Sequence, residues 1–415
     1  MGDDTIQSPN RAWSLQMKVS IRNFRAIQDQ TVKLAPITVV YGANGAGKSS
    51  LLYALLTLKN AVFNSNSATS GFFNYGFTSL GGFDAVVFDH IKNHDIELRL
   101  QMESEGGTFE HGVTFGETQG AYLLEAKYQD VRVKLDVPVT FPYPANIVVP
   151  NSVIINSEES SFTWNGITAQ LPATQSVSSL ALGNLNRFVS LINSPAENLR
   201  KLTMVPLRRG FSKPIYTTTG ASSSLITEEE VATFLSANKY LEAKISHYLE
   251  KVLNLDFRVH VTPGTAIFSL DATDKRTGVA TELVNEGFGV NQMVYFLAKA
   301  LNPETHLTCV EEPEIHLHPS AVRKFARAMA EMVNVESKNF LVSTHSEAFV
   351  LALLSLVAEG GLDTKQLAFY YVRKDGKKTT FEPQIVHENG QIEGGLTSFM
   401  GGEIEDLKSL LKHNP

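Results

Sequence analysis

The run Gly42-Ala43-Asn44-Gly45-Ala46-Gly47-Lys48-Ser49 has the spacing G-x-x-x-x-G-K-[ST]. Glycines placed this way let successive backbone N–H groups turn inward and cradle phosphate. Lys48 can then reach the β and γ oxygens of a nucleoside triphosphate such as ATP, and the Ser49 hydroxyl can ligate Mg²⁺. A second run, Thr308-Cys309-Val310-Glu311-Glu312, is apolar and ends in paired acids about 260 residues later. Beside a phosphate loop, the first acid holds the metal and the second polarises the attacking water. Glu311 is thus the metal-side acid and Glu312 the candidate general base. A third run, Ser343-Thr344-His345-Ser346, ends the next apolar stretch. His345 there falls at the carboxyl edge of an open α/β sheet, where ligands bind, and would contact the γ-phosphate. Each run has a plain alternative: a glycine-rich turn, a surface acidic pair, a structural histidine. Their joint occurrence weighs against all three.

A fourth stretch, Val284 to Gln292, is a polar, glycine-containing turn that runs into the helical segment Met293 to Leu301. Such a turn is either an ordinary helix cap at Asn285 or a second anion site. One chain has no evident use for two such sites. Two chains arranged head to tail would use both.

These residues need elements to hold them. Ile37 to Tyr41 is a short β-branched run that reads as a buried strand, and Lys48 to Val62 as the helix after the phosphate loop. Met17 to Ile21 and Val32 to Leu34 read as further strands, and Asn64 to Gly82 as a loop. Residues 95 to 170 alternate apolar and polar, as in Ile96, Leu98, Leu100, Met102 and again Val131, Val133, Leu135, Val137; period 2 means strands with one wet face. From about 176 to 253 the pattern is mainly helical. Glu228 to Leu253 is read as one helix, opened by a capping box at Thr227 and Glu230. Later come a strand at Leu307 to Val310, a helix at Ser320 to Met332, a strand at Phe340 to Ser343 and a helix at Glu347 to Val357. A hairpin turns at Asp375-Gly376, and Glu403, Glu405 and Asp406 open a final helix. The expected division is 1–63 and 255–415 as two parts of one α/β P-loop head, 64–175 as a β-rich lobe, and 176–254 as a helical lobe.

Composition narrows the classes. The chain has 415 residues, 43% hydrophobic and 19% charged, with a net charge of −7. That is ordinary for a globular protein and argues against a dedicated polyanion clamp, so DNA contact would need a local basic patch. Arg200, Lys201, Arg208, Arg209 and Lys213 form the one basic cluster. The single cysteine, Cys309, excludes an internal disulfide and a CxxC zinc site. The opening stretch is acidic and polar, without the apolar core of a secretion signal. The most apolar run, Phe340 to Ala358, is interrupted by Ser343, Thr344, His345, Ser346 and Glu347, so no membrane partner is expected and the protein reads as cytoplasmic.

The four runs, in this order, resemble the ABC-type ATPase heads of the SMC/RecF/OLD group, and most of all the stand-alone AAA-15 or AAA-21 type ATPases of bacterial antiphage systems. The residues that carry the resemblance are Ile21-Arg22-Asn23-Phe24-Arg25, Gly42 to Ser50, Asn285 to Gln292, Glu311 to Pro319 (EEPEIHLHP) and Thr344-His345-Ser346-Glu347, with Thr203 to Arg209 matching loosely. The resemblance implies that Arg25 lies near the nucleotide. It places Gly42, Asn44, Gly45, Ala46, Gly47, Lys48, Ser49 and Ser50 around the phosphates, and Asn285 and Gly287 against the partner's nucleotide. Asn285 stands where the ABC signature has serine, and Glu311 where the Walker B motif has aspartate. The region near Leu80 to Asp84 is the candidate for the lid segment of transporters. Glu314-x-His316-x-His318, which alone could be a metal cluster, is the loop that crosses the dimer interface in this group. No coiled-coil arm or zinc hook is present, and about 70 residues after His345 leave little room for a Toprim nuclease domain. What the resemblance implies is a slow, dimerisation-gated ATPase that is not itself a nuclease. It would be a head-to-tail dimer or higher homo-oligomer controlling a separate effector protein, a nuclease or toxin. The alternative is a RecF-like repair ATPase that clamps DNA as an ATP-bridged dimer.

Overall fold

The computed structural model describes residues 17–155, 157–172, 178–220 and 225–395. The final helix expected from Glu403 lies outside the described residues.

Six strands form the sheet that carries the site, in the order β11 (Leu202–Val205), β16 (Leu307–Glu311), β17 (Asn339–Thr344), β3 (Ile37–Tyr41), β18 (Leu367–Asp375) and β19 (Lys378–Gln384). The first five are parallel and the β18–β19 hairpin is antiparallel. All five residues of β3 are buried. This is the pattern of a strand covered on both faces, and it explains why the run is continuously apolar rather than alternating. Along β16, Cys309 packs towards α1 (Lys48–Phe63) and α3 (Ser179–Arg200), while Val310 packs to the opposite side. That side is covered by α4 (Glu228–Ala237), α5 (Lys239–Leu253), α6 (Phe288–Ala300), α7 (Pro319–Glu336) and α8 (Glu347–Ala358).

A second six-stranded sheet has the order β2 (Ile27–Leu34), β1 (Met17–Phe24), β4 (Ile96–Ser104), β5 (Gly107–Phe115), β6 (Gln119–Tyr128) and β7 (Val131–Thr140), antiparallel throughout. The β1–β4 register sets Met17 opposite Met102. One sheet therefore crosses the boundary expected at residue 63. The segment 176–254 is also shared: α3 packs on α1 and the β-lobe, β11 joins the parallel sheet, and α5 packs on α6, α7 and β13 (Leu255–Val261). Two small sheets complete the chain. One is β10 (Ala169–Gln170), β9 (Glu158–Trp164) and β8 (Val149–Ile155); the other is β12 (Tyr216–Thr217), β14 (Ile267–Asp274) and β13, with β15 (Ala280–Glu282) on β14.

Two local readings change. The stretch Asn64 to Gly82 is not simply exposed loop: Phe72 and Phe73 are fully buried, and the Phe72 ring packs edge-on against Phe115 and Phe141. The long helix is two. The Thr227–Glu230 capping box is present, but Asn238 (φ −127°, ψ 85°) ends α4 and its side chain accepts from the Leu241 N–H to start α5. An Asn that bonds the backbone locally competes with helix continuation, and apolar periodicity alone does not register that. Among the described residues no helix is long and apolar enough to cross a membrane.

His111, fully enclosed in β5, pairs its Nε2 with the Gly166 carbonyl at 3.0 Å. Burial pushes its pKa down to about 4, opposed by that hydrogen bond. The unfolded chain takes up this proton near pH 6.5 and the folded chain does not, so stability is lost as pH falls from 6.5 towards 4. The expected contribution is about 2 kcal/mol lost by pH 5. Urea titrations across this range check it: His111→Gln should flatten the acid slope, and an unchanged slope would refute the assignment.

Candidate nucleotide site

The phosphate loop leaves β3 at Tyr41 and enters α1 at Lys48. Gly47 caps α1 at φ 102° with no side-chain cap, so the first helical N–H groups stay open to an anion. Glycine is required for space as well. A Cβ on Gly42 would lie 2.3 Å from the Val372 carbonyl oxygen, and one on Gly47 2.5 Å from Thr379 Oγ1. The terminal hairpin is what presses here. The Thr379 hydroxyl donates to the Ala46 carbonyl (2.8 Å) and its N–H donates to the Ala26 carbonyl (2.7 Å). Asn44 and Gly45 are exposed, Ser49 is half-buried, and Ser50 is buried.

Lys48 Nζ donates to the carbonyls of Gly42 and Ala43, each at 3.0 Å, and lies 3.5 Å from His345 Nδ1. Burial lowers its pKa, while Glu312 and Glu314 oppose that. His345 Nε2 is 3.3 Å from Glu312 Oε1. Burial first, then the Lys48 charge, holds the His345 pKa below the ordinary imidazole value. The loop lysine, the second acid and the strand-end histidine therefore meet, because β17 stands between β3 and β16.

Glu311 Oε2 accepts from the Tyr53 hydroxyl at 3.3 Å. Tyr53 is four residues beyond Ser49, on the same face of α1, so this bond draws the first acid to the face that carries the Ser49 hydroxyl. The Arg25 guanidinium sits 5.4 Å above the Tyr53 ring. Arg25 (φ 52°) donates its N–H to Val86 in the short helix α2 (Phe83–Val86), which brings the region after Leu80 beside it.

Glu314 is not aligned with His316 and His318. Its Oε1 accepts from the Thr344 hydroxyl and from the N–H groups of His345 and Ser346, the last two at 3.2 Å, so it fixes the turn that presents His345. Burial raises its pKa. His318 caps α7, and the His316 ring lies 5.5 Å from that of Phe288. Among the described residues no three His, Cys, Asp or Glu side chains group to hold a metal.

Asn285 and Gly287 stand apart. Gly287, not Asn285, caps α6; Asn285 Nδ2 donates to Glu282 Oε2 (2.6 Å). Both are exposed, as is the neighbouring Phe288 at 73%. Among the described residues neither is bonded to the Lys48–Glu312–His345 group. The basic cluster also divides. Arg200 covers the Phe63 ring, Lys213 pairs with Glu229, Arg208 is exposed, and Arg209 turns inward beneath the acids.

This arrangement can bind a polyphosphate on backbone amides and one ammonium. Hydroxyl and carboxylate oxygens, the donors at Ser49 and Glu311, suit Mg²⁺. The residues present fit an ATP–Mg²⁺ site. Tyr53, Glu314, Arg209 and Thr379 support it, and motif reading assigned none of them that part. Only Tyr53 carried a signal, its i+4 spacing from Ser49.

Residues 37–352 match the AAA_21 family, described as "AAA domain, putative AbiEii toxin, Type IV TA system". The OLD nuclease of Thermus scotoductus is 22% identical over 381 residues, which are 87% of this chain and 65% of that protein. The chain thus spans less than two thirds of that relative's length. Solved structures with a similar course include the SMC head domain from Thermotoga maritima (10% identity, 89% of this chain and 98% of that one, TM-score 0.41). Another is the Smc head domain with an extended coiled coil bound to the C-terminal domain of ScpA, derived from Pyrococcus furiosus (12% identity, 95% and 99%, TM-score 0.46).

Proposed function

Since the chain belongs to the AAA_21 family and is an ATPase of the ABC/SMC/OLD type, we propose that it hydrolyses ATP slowly as a head-to-tail dimer. In this reading it is a sensor or scaffold that controls a separate effector, a nuclease or toxin, in bacterial antiphage defence. The observation that carries the reading is the meeting of Lys48, Glu312 and His345 at one sheet edge, with contacts of 3.5 and 3.3 Å.

The geometry supports the following roles. The loop amides and Lys48 hold the β- and γ-phosphates, with Arg25 beside them. Ser49 and Glu311 would hold Mg²⁺, which when bound neutralises phosphate oxygens. Glu312 takes the proton of the attacking water, and His345 contacts the γ-phosphate between Glu312 and Lys48. Asn285 and Gly287, exposed and outside the chain's own cluster, are free to meet a partner's nucleotide. Hydrolysis would then wait for dimer closure. The domain division we propose is one ATPase head completed by residues 255–395, with the β-lobe and helical segments inserted between its parts.

The family's description names a toxin of a toxin–antitoxin system and the curated relative is an OLD nuclease; both names are in keeping with the proposed defence role. The net charge of −7 and the dispersed basic residues speak for an effector protein over DNA as the main partner. The test is the ATPase rate with and without double-stranded DNA at several salt concentrations. Little stimulation, together with co-purification of an effector, is expected. Strong stimulation that falls steeply with salt would replace this reading with the RecF-like clamp.

A further inference from the structure

Arg209 lies on the loop that follows β11 and is half-buried, its guanidinium turned inward. Its Nη1 donates to the carbonyls of Pro206 (3.0 Å) and Glu311 (2.8 Å), and its Nη2 to that of Glu312 (2.9 Å). One rigid, planar fork thus spans the two consecutive carbonyls of the acid pair, a geometry that a flexible ammonium cannot reproduce. Glu312 has φ 41°, a left-handed conformation that a residue with a Cβ rarely adopts. Its N–H is held separately, donating to the Ser343 carbonyl at 2.8 Å. The backbone on both sides of the Glu312 side chain is therefore clamped, and the carboxylate is left free to face His345.

The loop that carries Arg209 is itself pinned. Asn291, buried in α6, accepts from the Phe211 N–H (2.6 Å) and donates to the carbonyls of Phe211 (2.8 Å) and Leu283 (2.9 Å). Gly210 (φ 128°) packs so closely that a Cβ would lie 2.6 Å from Asn291 Oδ1. Burial lowers the Arg209 pKa to about 10, against the pull of Glu314, Glu311 and Glu312. The group is still a cation at neutral pH.

We infer that Arg209 is a positioning residue for hydrolysis: it holds the Glu311–Glu312 backbone in the turn that aims the Glu312 carboxylate, without touching the nucleotide. The buried Asn291 fixes the loop from which it acts. The inference rests on Glu312 as the general base.

The test is Arg209→Lys, which keeps the charge and loses the fork. A misaimed base costs about 10- to 100-fold. We expect kcat to fall by that factor with KM and the affinity for a fluorescent ATP analogue within twofold of wild type. In a Glu312→Gln background, Arg209→Lys should lower the residual rate by less than twofold further, because both changes act through one group. Asn291→Asp, which keeps the acceptor and loses the two donor bonds, should show a smaller loss of the same kind. Unchanged kcat, losses that multiply in the double variant, or nucleotide affinity falling in step with kcat would each overturn the inference. So would failure of both Arg209→Lys and Asn291→Asp to fold, which would make the loop a folding element. Normal turnover by Glu312→Gln alone would instead sink the base assignment.

Discussion

Glu312→Gln is expected to bind ATP with near wild-type affinity and to turn it over about 10²- to 10⁴-fold more slowly. The amide keeps the size of the side chain and can still bond His345, 3.3 Å away, but it cannot accept a proton from water. The backbone should not move, because its anchors are the Glu312 N–H and carbonyl, bonded to Ser343 and Arg209. If hydrolysis is what reopens the dimer, the variant should accumulate as an ATP-bridged dimer. Light scattering after gel filtration with ATP and Mg²⁺ reads this directly. Normal turnover would show that another group is the base, and a variant that stays monomeric while binding ATP would count against gating by dimerisation.

The second large effect is at Lys48. Lys48→Ala should abolish measurable ATP binding. In the structure the ammonium is held by two carbonyls and flanked by His345, so it is already placed when a polyphosphate arrives. Charge-assisted bonds contribute about 1.5–3 kcal/mol each, and removing the bonds to both the β- and the γ-phosphate weakens affinity by about 10²-fold or more. The change has a second consequence. Glu312 and Glu314 both act on the Lys48 charge, and without it they face the phosphates uncompensated. Calorimetric titration with ATP checks this; affinity within tenfold of wild type would exclude the assigned role. A thermal melt of the variant separates loss of the site from loss of the fold.

The parts of the molecule legible in the sequence were those set by local rules. The β3 run is apolar throughout because it is covered on both faces. The phosphate loop could be read from its glycines because close approach by Val372 and Thr379 leaves no space for side chains. The capping box at Thr227 was visible because it is a three-residue interaction. What stayed hidden depends on distant contacts. β2 runs the full length Ile27–Leu34 with Asp29, Gln30 and Thr31 on it, so its first half lacks an apolar pattern. The pairing of β1 with β4 joins residues 17 and 102, which no local window spans. Arg209 looked like one more surface cation in a basic cluster. Its inward turn is decided by carbonyls of Glu311 and Glu312, more than 100 residues further on.

The strand order also has a consequence for synthesis. β3, which launches the phosphate loop, has two neighbours in its sheet, β17 and β18. Both are translated late: from Tyr41 to Leu367, the start of β18, the count is 326 residues. At roughly 5–20 residues per second, the ribosome takes about 16–65 s to cover that distance. Until β17 (Asn339–Thr344) is made, the nascent chain carries an apolar strand with both edges unpaired, and one edge stays open until β18 follows, a period in which chaperone occupancy is the alternative to aggregation. A premature stop before β18 would release a product whose glycine loop is complete in sequence but has neither Val372 nor Thr379 behind it. The nucleotide pocket is thus among the first parts written and among the last assembled.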